Sequence, residues 1–283
     1  MKLFRFGDPG RERPGLLSPR AGRVDVSAFG EDYGEAFFGS DGLTRLASWY
    51  ALNAHACPNV GADERVGAPI LRPSKIVCVG LNYRAHAEET GGKVPPEPML
   101  FMKSSTALAG PYDDLPLPRG SKKTDWEVEL ALVIKKRARY IEKARWSEYV
   151  AGFALMNDYS EREHQKERGG QFVKGKSADG FAPLGPLLVT PDELEPGRVG
   201  LKLSVNGQVM QDGKTSDLIF DVPTLVSHIS EFMTLLPGDV ISTGTPAGVG
   251  AGRTPALFLK PGDVVEYEAE TLGAARQRIL ASS

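Results

Sequence analysis

Two glutamates a single residue apart, Glu127 and Glu129, stand in the run Asp125-Trp126-Glu127-Val128-Glu129-Leu130-Ala131-Leu132-Val133-Ile134, which is otherwise apolar. The run reads as a strand over residues 126–135. Side chains alternate across a strand, so the two carboxylates point the same way. Buried like charges on one face repel and are poorly solvated, and no basic residue lies between them. A divalent cation would resolve the conflict. A second apolar strand, residues 152–157, leads into Asp158, which could supply a third ligand. Three oxygen ligands with room for water suit Mg²⁺, Mn²⁺ or Ca²⁺ better than zinc, which would recruit His or Cys.

The rest of the chain limits what such a site could serve. Its 283 residues, 25% charged and 41% hydrophobic, suit a soluble globular protein with a substantial core. A net charge of -2 gives no general attraction to nucleic acid or anionic membrane, and the basic run 135–139 reads as a solvated strand end. Cys57 and Cys78 show no metal or disulfide spacing. No apolar run long enough for a membrane span or signal peptide is seen, so the expected location is cytoplasmic.

Residues 1–72 form an expected small accessory domain. Its strand-like pieces lie at 2–6, 15–18 and 23–26, and a helix over 44–53 has Asp41 or Thr44 as candidate cap. The prolines of 68–73 mark an extended connector. Residues 73–283 form the expected catalytic domain. Short strands dominate it, at 75–79, 99–103, 187–190, 201–205, 208–212, 239–242 and 263–268. Asn206-Gly207 signals a hairpin, and a helix over 223–233 is opened by Asp221. Without regular strand–helix alternation, the fold class is α+β and mostly β.

Further groups could carry chemistry. His86 and Glu89 share a face of a short helix, where a carboxylate would orient an imidazole as a general base, although solvated helix faces carry the same spacing. Arg162 and Gln165 share another face and could wall an anion site. Lys176 lies in a glycine-flanked segment. The loop 243–250 is rich in glycine but lacks the following helix that a nucleotide phosphate loop needs. His55, His164 and His228 have no comparable partners and read as structural or surface residues.

In order, Gly80-Leu81-Asn82-Tyr83-Arg84-Ala85-His86, Glu127-Val128-Glu129, Asn157-Asp158, Arg162 with Gln165, Lys176-Ser177 and Thr243-Gly244-Thr245-Pro246 resemble the short branch of the fumarylacetoacetate hydrolase family. The resemblance implies a mixed β-roll, a homodimer, and a Mg²⁺ or Mn²⁺ site made by Glu127, Glu129 and Asp158. It also implies a water-activating dyad of His86 with Glu89 on a lid, Lys176 as the pocket lysine, and substrate contacts from Arg162, Gln165, Tyr83 and Thr245. Where longer members carry a further aspartate ligand, this chain has Val79. Where many short members follow the aspartate of the lysine motif with Thr or Ser, Gly180 follows Asp179.

The implied activity is hydrolysis of a carbon–carbon bond in a 2,4-diketo acid, an acylpyruvate or diketo-deoxy sugar acid of carbohydrate or aromatic catabolism, through a pyruvate enolate. Oxaloacetate decarboxylation, keto-enol isomerisation or ureidoglycolate lysis on the same site are the alternatives. A metal-stabilised binding protein is the alternative outside enzymes.

Overall fold

The computed structural model describes residues 1–282. Its centre is the antiparallel pair Val128–Ile134 and Val150–Asn157, in which every residue is buried. Leu132 faces Phe153 across the ladder and Val128 faces Asn157. Continuous apolar runs of this kind suit strands covered on both faces.

Around this pair runs a ten-stranded sheet. On one side Val150–Asn157 is followed by Leu188–Val189, Lys2–Phe6, Arg13–Ser18 and Gly22–Asp25, with Val66–Gly67 also pairing with Lys2–Phe6. The strands of the first 25 residues are thus hydrogen-bonded into the same sheet as the carboxylate strand. On the other side lie Val240–Ser242, Ile76–Gly80 and Met99–Lys103. Val240–Ser242 runs parallel to Ile76–Gly80 and antiparallel to Val128–Ile134, which makes the sheet mixed. A second sheet, of five strands, contains Gln208–Lys214, Gly200–Val205, Val264–Ala269, Gly273–Leu280 and Leu115–Pro116. The architecture is α+β and mostly β, as the strand-rich sequence implies. Among the described residues no helix is long and apolar enough to cross a membrane.

Local chemistry explains two of the element ends that the sequence marks. Asn206 and Gly207 take φ of 52° and 78°, and the hairpin closes with Val205 opposite Gln208. The helix Val222–Phe232 is capped by Asp221, whose carboxylate accepts a bond from the Thr224 amide at 2.9 Å.

The helix expected over 44–53 spans Gly42–Asn53, and neither expected cap operates. A short helix, Glu35–Gly39, precedes it so closely that the chain reverses through Asp41 at φ 58°. The Asp41 carboxylate instead pairs with Lys135 at 3.2 Å. The strand Gly273–Leu280 carries no clear strand signal in the sequence, because its outward face carries Arg276 and Arg278 and only Ala275, Gln277 and Ile279 turn fully inward.

Candidate active site

Glu127 lies just before the regular ladder, and one side-chain bond and one main-chain bond extend the pairing there. The Glu127 amide donates to Asn157 Oδ1 at 2.8 Å, and the Asp158 amide donates to the Glu127 carbonyl at 2.8 Å. This register brings Glu127, Glu129 and Asp158 together, each offering an oxygen within 4.8 Å of the others, all three buried.

Cations surround two of the three. Lys176 Nζ donates to Glu127 Oε2 at 2.6 Å and to Asp158 Oδ2 at 2.7 Å. Lys103, at the end of its strand, donates to the other Asp158 oxygen and to the Tyr159 carbonyl at 3.0 Å. Arg162 donates to Glu127 Oε1 at 2.7 Å, to Asp125 Oδ2 at 2.9 Å and to Gln165 Oε1 at 3.1 Å. Burial alone would raise the Glu127 pKa, but Lys176 and Arg162 outweigh it and hold the carboxyl well below its ordinary value. For Lys176 burial acts downward, and Asp158 and Glu127 reverse it, so the ammonium stays charged. Lys103 is shifted down, chiefly by burial and against the pull of Asp158.

Glu129 is the exception. Its Oε2 accepts from the Ser242 hydroxyl and from the Gly244 amide at 2.9 Å, and no cation pairs with it among the described residues. Burial, then Asp158 and Glu127, push its pKa well up. Such a carboxylate holds either a proton or a metal ion. The three residues therefore fit a hard divalent cation: all donors are oxygens, and the least compensated carboxylate is the one a cation would relieve.

His86 and Glu89 lie on the helix Arg84–Glu89, which follows the buried strand Ile76–Gly80 through a turn where Leu81 takes φ 53°. Asn82 secures this turn by donating to the carbonyls of Thr243 at 2.7 Å and Phe220 at 3.0 Å. His86 Nδ1 lies 2.8 Å from Glu89 Oε1. With Glu89 ionised, Nδ1 carries the proton and donates it, which leaves Nε2 with a free lone pair. The other Glu89 oxygen accepts from the Gly248 amide at 2.8 Å. Gly248 has φ 110°, and a Cβ there would lie 2.0 Å from the Met210 carbonyl, so only glycine can present that amide.

The glycine loop is itself anchored by Asp125, a fully buried carboxylate. Asp125 accepts from the amides of Gly250 at 2.6 Å and Ala251 at 2.9 Å, besides its bonds to Arg162. One side chain thus holds both the loop behind Glu89 and the guanidinium beside Glu127.

These groups border a cavity of about 260 Å³. His86, Glu127, Glu129, Arg162, Gln165, Lys176 and Thr245 line it, together with the apolar Leu81, Met99, Phe101 and Phe172. Asp158 stands behind Lys176, and Glu89 behind His86. The Thr245 hydroxyl donates to the Val128 carbonyl at 2.9 Å and accepts from Gln211 at 2.7 Å. Tyr83 is not brought to this wall: it is 2% exposed, its hydroxyl has no hydrogen-bond partner, and it bridges to Leu218 instead.

Sequence reasoning missed Lys103, Asp125, Ser242 and Lys166. Lys103 ends an apolar strand in the way any solvated lysine does, so only its burial in the fold reveals it. Asp125 directly precedes the glutamate pair, and that adjacency was an available signal.

A mixed β-roll with a buried acidic triad, a histidine–carboxylate pair and a lysine at one pocket has the make-up of a metal-dependent enzyme. The chain belongs to the fumarylacetoacetate hydrolase family: residues 75–280 match the model of the fumarylacetoacetate (FAA) hydrolase C-terminal domain. A protein of Burkholderia cenocepacia with the provisional name of hydrolase is 45% identical over 280 residues, covering 98% of each chain. Maleylpyruvate hydrolase of Sphingobium sp. SYK-6, solved with manganese(II) and pyruvate, superposes with a TM-score of 0.82 at 27% identity, covering 100% of both chains. A 5-carboxymethyl-2-hydroxymuconate delta-isomerase of Mycobacterium smegmatis superposes with a TM-score of 0.76 at 34% identity, also covering 100% of both.

Proposed function

We propose that this protein is a divalent-metal-dependent hydrolase that cleaves the C3–C4 bond of an acylpyruvate, a 2,4-diketo acid. The observation that carries the reading is the convergence of the His86–Glu89 pair and the Glu127–Glu129–Asp158 triad on one cavity. A divalent cation bound by the triad would supply Lewis-acid polarisation of the keto-acid oxygens. Mg²⁺ and Mn²⁺ both suit the oxygen donors, and the manganese and pyruvate described for the Sphingobium enzyme support a cation and a keto acid of this kind.

The residues divide the remaining work. His86 takes a proton from water through Nε2 as the water oxygen attacks C4, and Glu89 stabilises the imidazolium. Collapse of the adduct breaks C3–C4, and its electron pair passes into a pyruvate enolate. Lys176 and Arg162, both cationic and both on the cavity wall, favour that developing charge. Reprotonation at C3 gives pyruvate, so the sum is acylpyruvate plus water giving a carboxylate, pyruvate and a proton. The apolar wall around Phe101 and Phe172 limits competing water.

Keto-enol isomerisation is the second reading, favoured by the 34% identity to the Mycobacterium smegmatis isomerase. Incubation with a panel of acylpyruvates and oxaloacetate, with Mn²⁺ or with a chelator, separates the readings. Metal-dependent release of equimolar pyruvate and acid is expected. Isomerised substrate or CO₂ without acid would overturn the hydrolase reading.

A further inference from the structure

Of the three cations on the cavity wall, two are engaged internally. Arg162 is held by Asp125 and Glu127, and Lys176 by Glu127 and Asp158. The third, Lys166, forms no ion pair or hydrogen bond with the described residues, although it lines the same cavity. It follows the buried Gln165 on the helical turn Glu163–Glu167 and is itself exposed, which places it at the mouth. Partial burial and then Arg162 lower its pKa against the weaker pull of Glu127 and Asp125, and those two carboxylates are paired with Arg162 rather than with Lys166.

The wall between mouth and floor is suited to an apolar spacer. Leu81, Met99, Phe101 and Phe172 supply it. The two hydroxyls present already donate to main-chain carbonyls, Thr90 to that of His86 at 2.8 Å and Thr245 to that of Val128 at 2.9 Å. Neither is free to donate to the oxygens of a polyhydroxylated chain. A monoanionic substrate held at the floor would leave Lys166 without a paired carboxylate, and a second carboxylate beyond an apolar spacer would pair with it.

We infer that Lys166 is a specificity-determining residue that binds the distal carboxylate of a dianionic acylpyruvate, whose acyl chain is apolar rather than hydroxylated. The inference rests on the proposed acylpyruvate reading, and it disfavours sugar-derived diketo acids as substrates.

The test compares 2,4-dioxoheptanedioate with its monoanionic isostere 7-methyl-2,4-dioxooctanoate, in wild type and in Lys166→Ala and Lys166→Glu variants loaded with Mn²⁺. Lys166→Ala should lower kcat/KM for the dianion about tenfold, mainly through KM, and leave the isostere unchanged. Lys166→Glu should reduce the dianion further. Equal losses on both compounds, or none on either, would overturn the inference. If the wild type cleaves neither compound, the hydrolase reading fails by itself. Lys166 is then judged on calorimetric Kd values for the same compounds: a preference for the dianion that Lys166→Ala abolishes supports the role, and equal Kd values overturn it.

Discussion

Lys176 Nζ lies 2.6 Å from Glu127 Oε2 and 2.7 Å from Asp158 Oδ2, so one ammonium bridges two of the three carboxylates of the triad. Removing it leaves buried anions short of charge. Lys176→Met should cost the metal-free protein about 3 kcal/mol of stability. Mn²⁺ should restore much of this, because it supplies charge to the same oxygens. Thermal unfolding with and without Mn²⁺ checks both effects, and a variant as stable as wild type without metal would contradict them.

Glu129 gives a pH dependence of defined sign. Its folded pKa is raised above the ordinary 4.5 by burial, Asp158 and Glu127. Above about pH 4.5 the unfolded chain has released this proton while the folded protein retains it. Stability of the metal-free protein therefore falls as pH rises from that point towards the folded value. Glu129→Gln should abolish this contribution, matching wild type near pH 4.5 and exceeding it at pH 8. Denaturant midpoints at both values test this, and Mn²⁺ should stabilise wild type far more than the variant.

His86→Ala should lower kcat by about 100- to 10,000-fold, the range for loss of a general base. Mn²⁺ affinity should be unchanged, because His86 is not among the triad. Glu89→Gln should lower kcat less, since it keeps a partner for Nδ1 but loses the charge that stabilises the imidazolium. Steady-state kinetics beside a Mn²⁺ titration separate catalysis from metal binding.

Asp125→Ala should affect regions on both sides of the cavity. It orphans the amides of Gly250 and Ala251 and releases one side of Arg162. Hydrogen exchange at residues 248–251 should increase, and kcat should fall as Glu89 loses its fixed loop. Unchanged exchange there would show that other contacts hold the loop.

The triad was legible because carboxylates inside apolar strands are anomalous, and the order of the motifs pointed to the same family that the whole-chain comparisons establish. What stayed hidden was set by tertiary packing. Lys103 acquires meaning only when Met99–Lys103 ends beside Asp158. Tyr83 shares a sequence motif with His86, yet it is buried with an unpartnered hydroxyl and is not among the residues that line the cavity. The strand Gly273–Leu280 has a clear inward face, but glycine, alanine and glutamine on it weaken the apolar signal. At Asp41 a neighbouring helix, rather than local propensity, decides where the next one starts.

Hydrolysis differs from isomerisation and decarboxylation in where water oxygen ends up. With Mn²⁺-loaded protein and an acylpyruvate in H₂¹⁸O, the central measurement is the mass of the acid released alongside pyruvate. One ¹⁸O atom in the carboxylate of that acid is the expected result, formed as fast as pyruvate and at a rate lowered about 100- to 10,000-fold in His86→Ala. Consumption of substrate with no labelled acid, or labelled acid formed at an undiminished rate in His86→Ala, would contradict water activation by the His86–Glu89 pair.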